Sequence, residues 1–143
     1  MTVYAMAAGV WVSGAVWLIF HYFVETTDGF GFSAPHPLEK WWLILHSLFA
    51  VGAIWVFGVL WPNHIKKGWT LAARRATGGS MFIMIVWLMG SGVALYYIGS
   101  DSWRSWTSLS HWIIGLSALG VFIVHLLTRK RRTQAIKMFG SSR

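Results

Sequence analysis

Cysteine is absent from the 143 residues. That excludes disulfides, iron–sulfur clusters held by thiolates, and haem attached covalently through C-x-x-C-H. Acids are nearly as scarce: Glu25, Asp28, Glu39 and Asp101 stand against twelve Lys and Arg. All four fall at the ends of apolar runs or in the segments between them. A small multidrug exporter relies on a carboxylate within a span, so this placement counts against that class. Charged residues make up 11% of the chain and apolar residues 56%, which excludes a disordered polyelectrolyte.

What is present is length of apolar sequence. Four stretches, roughly Val3–Val24, Glu39–Trp61, Gly78–Ile98 and Leu109–Thr128, each approach the ~20 residues that a spanning helix needs. An all-α, four-helix integral membrane bundle is expected, with helices over about 3–24, 39–61, 78–98 and 109–128 and a basic tail over 129–143. It reads as a single domain spanning 1–143. The N-terminal MTVYAMAAGV lacks a basic leader and a cleavage site, and reads as the start of helix 1.

Charge sets the expected orientation. The acids cluster at one set of loops with only Lys40 and Arg104 beside them, while Lys66, Lys67, Arg74, Arg75, the run Arg129–Arg132, Lys137 and Arg143 lie at the other end. The positive-inside rule then puts both termini and the 62–77 loop in the cytoplasm. The net charge of +8 is accounted for by topology and attraction to anionic lipid. No basic–aromatic groove points to nucleic acid. Trp41, Trp42, Trp61, Trp69, Trp103, Trp106 and Trp112 fall near expected helix ends, where interfacial aromatic belts collect.

Chemistry rests on the histidines. His111 and His125 are fourteen residues apart, which returns the second imidazole to within about 40° of the first and places it roughly 21 Å along one helix face. His46 lies seven residues after Glu39, and His111 seven after Arg104. Both therefore sit roughly 10 Å into the outer half of the span. His125 and His64 lie near the inner boundary, close to Arg129 and Lys66. Imidazoles within a span are costly and mark sites. Two pairs matched in depth, His46 with His111 and His64 with His125, suit an outer and an inner bis-histidine haem b held without covalent links. His46 and His64 are eighteen residues apart, five turns on one face, with helix tilt or a bend at Pro62 absorbing the extra length. Ala50 and Gly115, one turn after His46 and His111, leave clearance for a porphyrin. His21 reads as a haem-propionate or quinone contact and His36 as a loop residue. A quinone would need a polar group at an interface, for which His21, His36 or Glu39 serve on the outer side, and His64 or Ser117 elsewhere. Helix 1 carries Ser13-Gly14. Gly78, Gly79, Gly90 and Gly92 of helix 3 let backbones or a planar ligand approach closely, and read as packing first. No convincing internal repeat is visible.

These residues resemble the four-helix cytochrome b subunits of membrane-bound formate dehydrogenases and nickel–iron hydrogenases. The likeness is carried by His111, Gly115 and His125 of helix 4, by His46 and the small residues through Gly52 of helix 2, by helix 3, and by the basic tail with its IKMF. The resemblance implies an electron-transfer subunit of a respiratory oxidoreductase in a bacterial inner membrane. Its partners would be quinone and a periplasmic cytochrome or oxidoreductase subunit. It implies that His46 and His111 hold the outer haem iron and His125 the inner one. The family's other inner ligand falls at the cytoplasmic start of helix 1, where Met1–Tyr4 offers no histidine. The inner haem then uses His64, uses another ligand, or is absent. A haem-free structural subunit, a small transporter, and a transmembrane oxidase drawing on outside oxidants are the alternative classes.

Overall fold

A computed structural model describes residues 2–70 and 75–140, with side chains over 2–69 and 75–128. Expectations placed on Met1, Arg74 and the side chains of the tail 129–143 lie outside the described residues. The chain groups into two helical units, Met1–His64 and Ile65–Arg143. Four of its helices are long and apolar enough to cross a membrane.

The first unit is a hairpin of α1 (Thr2–Phe23) and α2 (Pro37–Leu60). Glycine governs their approach. A Cβ on Gly9 would lie 2.5 Å from the Phe49 ring, and one on Gly52 would lie 2.8 Å from Met6 Sδ. Such close backbones are how helices associate where no hydrophobic driving force separates them from lipid. The loop between them holds two short strands, β1 (Thr26–Thr27) and β2 (Ser33–Ala34), paired antiparallel. Asp28 Oδ1 accepts from the backbone N–H of Phe30 and of Phe32, both at 2.9 Å. Gly31 takes the left-handed φ of +85° that closes the turn. His36 caps α2: its Nδ1 accepts from the Leu38 N–H at 3.1 Å, with Pro37 opening the helix. A turn-rich loop was expected here, and the cap gives His36 a structural task within it.

Helix α2 ends at Leu60, as its sequence suggests, but the chain stays helical beyond it. A π-helical turn over Trp61–Ile65 carries the chain into α3 (Lys66–Thr70). Pro62 has no N–H to donate and its ring crowds the carbonyl four residues back. One wide turn relieves both. The uniform count that put His64 on the His46 face is broken there.

The second unit is a hairpin of α4 (Arg75–Tyr97) and α5 (Asp101–Gly140). Helix α5 starts eight residues before its apolar run and continues past Thr128 as one helix of 40 residues. Both limits extend the sequence reading, which placed the helix over about 109–128 and left 129–143 as a basic tail. Asp101 in the first turn complements the helix dipole. Arg104 reaches back to the Leu95 carbonyl at 3.3 Å, satisfying an acceptor at the end of α4. At 1.5 Å per residue α5 is roughly 60 Å long, about twice a bilayer core.

The burial pattern inverts that of a water-soluble protein. Among the described residues the only buried apolar side chain is Val56, while Ser13 and Ser91 are 1% and 7% exposed. Leu48, Val51 and Trp55 of α2 and Ile83 and Trp87 of α4 face outward. Apolar rims around small polar contacts are compatible with a multi-pass membrane protein.

Candidate functional site

Three of the six histidines sit half-buried inside the helical hairpins, and the structure treats all three alike. His46 is nine residues from the start of α2 and His111 ten from the start of α5, so each lies roughly 14–15 Å into its helix. Each presents Nδ1 to the neighbouring helix of its own hairpin.

In the first unit, His46 Nδ1 donates to the Val10 carbonyl at 3.0 Å and lies 3.3 Å from Ser13 Oγ. Ser13 itself donates to the Gly9 carbonyl at 2.6 Å. In the second, His111 Nδ1 lies 2.8 Å from Ser91 Oγ, and Ser91 donates to the Trp87 carbonyl at 2.7 Å. Also in the second unit, His125 Nδ1 lies 3.1 Å from Thr77 Oγ1. A glycine follows every one of these hydroxyl residues, and each lies beside the imidazole edge, most tightly at Gly14. A Cβ on Gly14 would stand 3.0 Å from His46 Cε1, one on Gly92 3.4 Å from His111 Cε1, and one on Gly78 3.8 Å from His125 Cε1.

Ser13-Gly14, Ser91-Gly92 and Thr77-Gly78 are thus three copies of one arrangement. Thr77 and Ser91 are fourteen residues apart, as are His111 and His125, so two copies fit α4 and α5 in a single antiparallel register. Sequence reasoning took the helix 3 glycines for packing, gave the hydroxyl residues no role and saw no repeat. A two-residue motif is too short to stand out, and its histidine lies on another helix. The shared spacing of fourteen was the signal available.

The remaining predicted site residues take other roles. At Gly115 a Cβ would meet Leu88 Cδ2 at 3.7 Å, an ordinary contact. Ser117 lines a shallow groove on the α4–α5 hairpin, between Ala76, Thr77 and Ser80 of α4 and Gly120, Val121 and Val124 of α5. His64 lies in the π-turn and is exposed. His21, in the last turn of α1, donates from Nδ1 to Glu39 Oε1 at 2.7 Å, and Trp17 stacks on its ring at 4.7 Å. Phe20 packs against the His36 ring at 4.9 Å. The loop end of the first hairpin therefore carries an imidazole–carboxylate pair among aromatics.

Among the described residues no three His, Asp or Glu side chains gather at one point to hold a bare ion. The imidazoles come singly, each oriented through Nδ1. That is the arrangement a metal-ligating histidine takes when its second ring nitrogen faces the metal, and it suits a group that brings most of its own donors. No protein-family model, curated protein or solved structure matches the chain.

Proposed function

We propose that this chain is a four-helix integral membrane cytochrome of the b type, carrying electrons between a membrane quinone pool and a redox partner on the outer side. The observation that carries this reading is the threefold repetition of a half-buried imidazole oriented at Nδ1 by a hydroxyl on long apolar helices. Polar atoms at that depth are costly unless they serve a site. An oriented imidazole with a small residue against its edge is what non-covalent haem ligation asks of a protein. When bound, haem supplies an iron that alternates between ferric and ferrous states.

In this proposal His46 and His111 are the outer ligands and His125 the inner one. His64 is the assigned fourth ligand from its place near the inner boundary, with the π-turn at Pro62 setting its orientation. The basic residues at the inner ends favour a cytoplasmic placement of both termini and contact with anionic lipid. The His21–Glu39 pair marks the quinol side. Oxidising a quinol releases two electrons and two protons, and a hydrogen-bonded carboxylate–imidazole pair at a helix end can take up a proton and pass it to water.

The test is quinol-driven electron transfer in proteoliposomes. Haem-loaded vesicles given a short-chain quinol are expected to reduce added soluble cytochrome c several times faster than vesicles carrying the haem-free chain. Glu39→Gln is expected to keep its haem and its reduction by dithionite, while slowing the quinol-driven rate roughly tenfold or more. Equal rates with and without haem would contradict the electron-transfer reading. A wild-type rate in Glu39→Gln would remove the pair from the proton path.

A further inference from the structure

We infer that Ser13 and Ser91 are positioning residues that fix the tautomer and ring orientation of His46 and His111, and that Thr77 orients His125 in the same register. The consequence for haem rests on the functional reading above; the tautomer assignment does not.

Proton counting carries the inference. A serine hydroxyl has one proton to give. In Ser91 that proton goes to the Trp87 carbonyl at 2.7 Å, the ordinary back-bond of a helical serine. Toward His111 Nδ1, at 2.8 Å, Ser91 Oγ can therefore only accept. His111 must carry its proton on Nδ1, and the neutral ring then holds its lone pair on Nε2. In Ser13 the proton is likewise committed to the Gly9 carbonyl at 2.6 Å. His46 Nδ1 also meets the Val10 carbonyl at 3.0 Å, which is an acceptor and nothing else. Two independent acceptors fix the same tautomer there. Thr77 sets an oxygen 3.1 Å from His125 Nδ1 in the same register; that contact orients the ring, while the proton count fixes the tautomer only at His46 and His111.

Gly14 does complementary work. Its missing side chain admits the Nδ1–Cε1 edge of the ring, and a Cβ there would stand only 3.0 Å from both Cε1 and Nδ1 of His46. At Gly14 a larger residue would press on the ring and the ring would have to give; at Gly92 and Gly78 a Cβ would make ordinary contact at 3.4 and 3.8 Å, so there the hydroxyl is the positioning group.

An Nδ1–H hydrogen bond to a fixed acceptor makes an imidazole a stronger donor to iron, which favours the ferric state and lowers the reduction potential. Replacing Ser91 by alanine keeps His111 but removes that acceptor. Haem affinity is expected to fall about 10–100-fold, and the potential of the remaining haem to rise. Ser91→Thr, which keeps the hydroxyl, is expected to restore both.

The deciding measurement precedes haem. In the haem-free wild-type chain in detergent micelles, ¹⁵N-histidine NMR is expected to show His46 and His111 protonated at Nδ1, with His111 losing that preference in Ser91→Ala. A Nε2-protonated His111 in the wild type, or a tautomer indifferent to Ser91→Ala, would overturn the inference whether or not haem binds. An Nδ1-protonated chain that takes up no haem would uphold the positioning role and defeat the cytochrome reading instead.

Discussion

Replacing His111 by alanine is expected to remove one haem per chain, and replacing His46 by alanine to remove the same one. The double variant should lose no more than either single, because ligands of one iron act as a unit and their effects do not add. His125→Ala is expected to remove a different haem and leave the first in place. The expectation stems from chemistry that is equivalent in the two hairpins. His46 and His111 are each turned by a serine that has already committed its proton within its own helix, and each lies at a similar depth from its helix start. Haem content of the purified variants, measured as pyridine haemochrome, reads the result. Additive loss from His46→Ala and His111→Ala would mean that they serve separate sites. His36→Ala, which removes only the cap of α2, is the control and should keep full haem at a cost of about 1 kcal/mol in stability.

The largest effect expected on stability is at Gly9. Alanine there would set a Cβ within 2.5 Å of the Phe49 ring. Three ring atoms lie within 2.8 Å, so the ring must move as a body rather than bend a flexible tip. Forcing extra atoms into a packed contact costs about 1–3 kcal/mol, and in a two-helix hairpin this contact is a large share of what holds the elements together. Gly9→Ala should lower the unfolding midpoint in detergent, and Phe49→Leu in the same chain should recover part of the loss. Gly120→Ala is the counterpart: nothing lies within 4 Å of the added methyl. It should be neutral or raise stability by about 0.5–1 kcal/mol, as alanine does in a helix interior. Equal effects at the two glycines would mean that α1 and α2 do not meet through Gly9.

Much of the fold was legible because an apolar run of about 20 residues has few ways to satisfy its backbone in lipid other than as a helix. Hydropathy marks the span, however, and not the helix. DSWRSWTS looked like loop because it is polar, yet Asp101 at the helix start and the Arg104 bond to Leu95 make it the first turns of α5. Pro62 signalled an irregularity, and the chain met it with a π-turn. The two-residue strands over 26–27 and 33–34 are too short to leave a period. For the site, the histidines declared themselves by type and by their spacing of fourteen. Ser13, Ser91 and Thr77 did not, because their meaning depends on which residue of the neighbouring helix lies opposite, and register between helices is not written in either one alone.

The central claim is that these oriented imidazoles hold haem. The most direct test is the reduced-minus-oxidised visible spectrum of the full chain, expressed with ample haem supply and purified in detergent, with haem b quantified per chain. The expected result is the sharp α-band of a six-coordinate b-type cytochrome and about two haems per chain, falling to about one in His64→Ala if that residue is the inner ligand. One haem in the wild type, lost on replacing His111, would keep the outer site and withdraw the inner one. A colourless protein that is nonetheless folded and helical would contradict the claim and leave the hairpins as a haem-free membrane subunit.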